Sequence, residues 1–85
     1  MRTVTLDCRS VQSPQALHMA LQSGLDFPAW YGRNLDALYD CLTDLHQETC
    51  LILLGWDSLG TWEQGFRLAL QDAARENAAF SVEFR

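Results

Sequence analysis

"TCLILLGW", Thr49 to Trp56, is a continuous apolar run whose reading decides the fold. It is far short of the ~20 residues that cross a bilayer. Its length suits a central strand of a parallel sheet, covered on both faces and ended by Gly55. Outward from it, "FSVEF" (80–84) alternates strictly and predicts a last strand with Phe80, Val82 and Phe84 on one side. "RTVTLD" (2–7) alternates too, is rich in β-branched residues, and predicts a first strand.

Helices fill the gaps. Ser13 before Pro14 supplies an N-cap and a first-turn proline, and Leu17, Ala20 and Leu21 mark the buried side of a helix that stops near Gly24. Asn34 caps a second helix whose core stripe is Leu35, Leu38, Leu42 and Leu45. Thr61 and Gln64 have the spacing of a capping box for a third, ending near Asn77, with Trp62, Phe66, Leu70 and Ala73 inside. The order strand, helix, helix, strand, helix, strand predicts an α/β fold: a small three-stranded parallel sheet with helices packed on it. At 85 residues the chain reads as one domain, 1–85, without an internal linker.

The opening residues lack the apolar run of a signal peptide, so a cytoplasmic location is expected. Cys8, Cys41 and Cys50 are odd in number and lack C-x-x-C spacing, which predicts buried thiols in place of a disulfide framework or zinc ribbon. His18 has no spaced partner for a metal, and no glycine-rich phosphate loop, H-E-x-x-H or G-x-S-x-G is present. His46 precedes Cys50 by four residues, but the helix ends between them, which argues against a nucleophile and base pair.

Charge is the stronger signal. The net charge is −5, lysine is absent, and the six arginines are scattered singly, which argues against direct nucleic-acid binding. From Asp26 to Glu48, five acids face Arg33 alone. Asp36, Asp40 and Asp44 recur every four residues on the water side of the second helix, where each like-charged pair costs a few tenths of a kcal/mol. Such a field attracts a cationic ligand or a basic protein. Trp30 and Tyr31 precede the strip and Tyr39 stands within it, the makings of a protein interface. Bulk alone would bury Tyr31 and at least half of Trp30. A metal-dependent enzyme using Asp36 and Asp40 is a weaker reading, because successive turns of one exposed helix converge poorly on an ion.

"WYGRNLDALYDCLT" (30–43) resembles the signature of the barstar family, intracellular inhibitors of barnase-type microbial ribonucleases, and the resemblance extends over nearly the whole chain. It implies a barstar-like fold, and an immunity-type protein that blocks a basic bacterial ribonuclease one-to-one, with no cofactor, no metal, no catalysis of its own and a monomeric free state. It implies that Asp36 and Asp40 stand in for RNA phosphates, with Asp40 at the centre of the cationic site. Trp30 and Tyr39 match contacting aromatics, and Asn34, Leu35 and Thr43 match lining positions. Asp72 and Glu76 match further acidic contacts, and Asp44 falls toward the rim. The small like-charge cost is outweighed if pairing in a desolvated interface contributes several kcal/mol, a magnitude that comes from barnase and its inhibitor. The chain departs from the family at Trp30, Tyr39, Leu45 and Asp72, and it is shorter between Trp56 and Thr61, which bears on which ribonuclease it fits. The alternative is an acidic interaction module for a basic partner that is not a nuclease.

Overall fold

The computed structural model describes residues 1–85. Its elements are β1 (Arg2–Asp7), α1 (Pro14–Leu25), α2 (Leu35–Thr43), β2 (Thr49–Leu54), α3 (Glu63–Glu76) and β3 (Phe80–Phe84), with single 3₁₀ turns at Cys8–Ser10 and Trp56–Ser58. The strands form one parallel sheet in the order β1-β2-β3. Val4, Leu51 and Val82 align across it, as do Leu6, Leu53 and Phe84.

That aligned face carries the core. Leu51 and Leu53 are fully buried with Leu17, Leu21, Leu38, Leu42 and Leu70. Truncating any one of these leucines to alanine would cost about 2–5 kcal/mol. The other face carries exposed Thr3, Thr5, Ser81 and Glu83, with Cys50, Ile52 and Leu54 only half-buried. The expectation that β2 is covered on both faces is therefore corrected: its second face is only half-buried. The cysteine expectation is corrected with it, since Cys8 is buried but Cys41 and Cys50 are half-buried free thiols.

Ser13 Oγ accepts the Ala16 N–H at 3.1 Å, and α1 runs one residue past Gly24 to end at the left-handed Asp26, φ 57°. Gly24 lets α1 lie close on β1, since a Cβ there would sit 3.2 Å from both Leu6 and Val4. The capping box at Thr61 does not form. Trp62 begins α3 without a side-chain cap, and the Glu63 N–H donates to the Gly60 carbonyl. The Gln64 N–H that such a box would use goes to the Thr61 carbonyl instead, while the Glu63 carboxylate accepts from Trp56 Nε1 at 2.6 Å and from Arg67 Nε at 3.1 Å. The short connection after β2 holds only the turn at Trp56–Ser58.

Two anchors set α2 against α3. Leu35 at the start of α2 lies over Gly65, where a Cβ would be 2.7 Å from its Cδ1. Asn77, just past α3, reaches the end of α2. The helices therefore run side by side in the same direction, and α2 presents its remaining face outward. Leu35 is 38% exposed, so it belongs to the edge of the stripe, and its inclusion in the core is corrected: it packs on a helix surface, while Leu38 and Leu42 are fully buried in the core.

Candidate functional site: the acidic face of α2

Asn34 Oδ1 accepts the Ala37 N–H at 2.8 Å and starts α2, while its Nδ2 donates to the Gly32 carbonyl. Both ends of this amide work for the fold. Thr43 Oγ1 donates back to the carbonyls of Tyr39 and Asp40 at 3.0 and 3.1 Å. Asp36 lies in the first turn, where the helix dipole favours a carboxylate, and Asp44 is the C-cap, where it does not. No basic residue offsets it in the last turn. Asn77 does part of that work: Nδ2 donates to the carbonyls of Leu42 and Leu45 at 2.9 and 3.0 Å and approaches that of Thr43. Sequence reasoning saw Asn77 only as the end of α3, because nothing local marks a bond that spans 32 to 35 residues.

Asp36, Asp40 and Asp44 are all exposed, and no hydrogen bond or ion pair within the chain engages their side chains. Five of the six arginines pair with acids elsewhere: Arg2 with Asp26, Arg9 with Asp7, Arg67 with Glu63, Arg75 with Asp72 and Arg85 with Glu83. The sixth, Arg33, donates to Gln22 Oε1. The six acids left without an arginine are Asp36, Asp40, Asp44, Glu48, Asp57 and Glu76, four of them in or just after α2. Burial first, and then the charges of Asp44 and Asp40, push the neighbouring Cys41 thiol up, so it stays protonated.

Trp30 is 81% exposed, against the half-buried position its bulk suggests, and Tyr39 is half-buried. Tyr31 goes inside instead. Its hydroxyl shares a 2.7 Å hydrogen bond with Nδ1 of buried His18, which also lies 4.6 Å from the Phe66 ring. Burial, with a smaller push from Arg33, lowers the His18 pKa and keeps the ring neutral. The leucine stripe of α1 puts residue 18 at its edge, which is the signal that could have marked this histidine as a core group.

The structure thus brings Trp30, Asn34, Leu35, Asp36, Tyr39, Asp40, Thr43 and Asp44 onto one loop and helix, with Asn34 and Thr43 occupied internally. Asp72 and Glu76 lie on the C-terminal half of α3, alongside the C-terminal half of α2. Asp72 is half-buried and paired with Arg75, while Glu76 is exposed. No three side chains of histidine, cysteine, aspartate or glutamate converge in a way that would hold a metal ion. No helix is long and apolar enough to cross a membrane.

Comparison with known proteins agrees with this architecture. The "Putative ribonuclease inhibitor YrdF" of Bacillus subtilis (strain 168) is 54% identical over 43 residues, a stretch that covers 51% of this chain and 47% of that protein. The chain thus matches about half the length of that relative. The family described as Barstar (barnase inhibitor) matches residues 1–85, the whole chain, and with its three helices and parallel three-stranded sheet the protein belongs to the Barstar family.

Proposed function

We propose that this protein inhibits a barnase-type ribonuclease by placing Asp36 and Asp40 where RNA phosphates bind. The observation that carries the reading is the uncompensated charge of α2: five arginines neutralise acids elsewhere, and none reaches the strip. A ribonuclease holds a polyanion with arginine, lysine and histidine, and carboxylates on a rigid helix pair with the same groups without being cleavable. Family membership and the printed name of the relative support ribonuclease inhibition in general.

In this reading Trp30 and Tyr39 flank the charged contact, and Leu35 lines it from its seat on Gly65. Asn34 and Thr43 act by holding α2 in shape, and Asp44, Asp72 and Glu76 lie around the rim. The complex is one-to-one, the free protein is a monomer acting in the cytoplasm, and it catalyses nothing itself.

The test is an RNA cleavage assay with a panel of barnase-type enzymes. Inhibition should be complete at one equivalent, and association should slow steeply between low and physiological salt as the field of the strip is screened. Cleavage that continues under a large excess of protein, across the panel, would leave the acidic module for a basic partner that is not a nuclease.

A further inference from the structure

Beside the acidic strip lies a cleft of about 200 Å³, between the loop after α1 and the end of α2. Its walls are Phe27, Pro28, Trp30, Cys41 and Leu45, with Asp26 and Asp44 also lining it. The volume equals that of roughly seven waters at ~30 Å³ each, the scale of one side chain, not of a nucleotide. An apolar cleft alone would suit a leucine or methionine. This one carries two carboxylates and an exposed indole, and those select a cation with a long apolar stem.

Asp44 has no partner within the chain. Asp26 pairs with Arg2 at 3.3 Å, but its side chain is 84% exposed and keeps acceptor capacity. Cys41 stays protonated between Asp40 and Asp44 and adds no charge of its own.

We infer that this cleft receives one arginine side chain of the partner, its guanidinium stacked on Trp30 and paired with Asp44, its methylene stem against Phe27 and Leu45. Stacking and planar pairing favour arginine over lysine, and the stem accounts for the apolar walls. The inference rests on the inhibitor reading for the source of the arginine. It adds a specificity pocket separate from the phosphate-mimicking pair, built from Asp44 and Leu45, where the helix ends.

The experiment titrates the intact ¹⁵N-labelled protein with N-acetyl-arginine methylamide and, as an uncharged isostere, N-acetyl-citrulline methylamide. Millimolar arginine should shift the Trp30 indole N–H and the amides of Asp44 and Leu45, and citrulline should leave them in place. Asp44→Asn should weaken the arginine response at least threefold, and Leu45→Trp, which fills the cleft, should abolish it. Trp30→Ala, at an exposed position, keeps the test available should Leu45→Trp disturb the fold, and it too should remove the response at Asp44. Equal shifts with citrulline, or arginine shifts confined to Asp36 and Asp40, would overturn the pocket. Since the probe needs no ribonuclease, failure here is distinguishable from failure of the inhibitor reading, which the cleavage assay decides alone.

Discussion

On α3, Glu63 accepts from the buried Trp56 indole and from Arg67, whose guanidinium lies 5.9 Å from the Trp56 ring and 5.1 Å from Phe84. On α2, Asp36, Asp40 and Asp44 meet no donor at all. Both helices are amphipathic and both carry charge beside aromatic rings, so composition does not separate them. The difference is where the partner comes from. Around Trp56 the charges finish the fold, and breaking them leaves a buried indole N–H unsatisfied. On α2 the charges oppose the fold slightly, through mutual repulsion and, at Asp44, through the helix dipole. Charge kept at a small cost to the fold is what the proposed inhibitor function would use.

Exchanging the two sites in a mutational series tests this contrast directly. The largest effect should come from Asp40→Ala, which lowers affinity for the target ribonuclease by at least about a hundredfold, or about 2.8 kcal/mol, because a desolvated cation is left unpaired. Thermal stability should hold or rise slightly, since Asp40 is the middle of three like charges. Unfolding, or an affinity within about threefold of wild type (~0.7 kcal/mol), would break the contrast from this side.

Glu63→Ala should do the reverse. It strands the Trp56 N–H and frees Arg67, so chemical denaturation should report a loss of about 1–3 kcal/mol with inhibition intact. Asn77→Ala also acts on the fold, since it removes the donor shared by the Leu42 and Leu45 carbonyls. Stability should fall by about 1–3 kcal/mol, and hydrogen exchange should speed up at the end of α2 in particular.

A milder effect is expected from pH. The folded state lowers the His18 pKa below its value in the unfolded chain, so the unfolded chain takes up the proton first as pH falls. Stability is then complete above about pH 6.5 and declines as pH falls below it. A series of melts from pH 7 to 5 should show that decline in the wild type and a flatter profile in His18→Gln. The smallest effect should be Gly65→Ala. Gain in helix propensity, about 1 kcal/mol, opposes the shift forced on Leu35, so stability should change by less than that. The displaced Leu35 should still register as a chemical-shift change across the start of α2.

The same contrast explains what the sequence made legible. Strands, helices and the parallel sheet follow from local periodicity, and the acidic strip follows from a spacing of four on a helix. The misread features depend on neighbours distant in the chain. Strand β2 is apolar throughout, yet its second face is only half-buried. The capping box at Thr61 gives way to a turn in which the Gln64 N–H bonds the Thr61 carbonyl, and the acid beside it, Glu63, answers to Trp56. Leu35 has the spacing of a core residue but meets Gly65, a contact no periodicity encodes. Trp30 could be placed outside only by knowing that Tyr31, its neighbour, fills the space beside His18.

That last arrangement bears on the thermodynamics of recognition. The loop between α1 and α2 is turned at either end by a left-handed residue, Asp26 at φ 57° and Arg33 at φ 53°. Between them the Pro28 carbonyl accepts from both Gln22 Nε2 and the Tyr31 N–H. Trp30 is therefore mounted on backbone that is already fixed, and on binding it has only its own two side-chain torsions left to immobilise. The aspartates of α2 are short side chains as well. Ordering a flexible interface side chain costs about 0.5–1.5 kcal/mol of conformational entropy apiece, and a surface of short carboxylates and aromatic rings on rigid supports avoids most of that penalty. Its complexes should accordingly form with little change in backbone order parameters, with the free energy of contact retained as affinity.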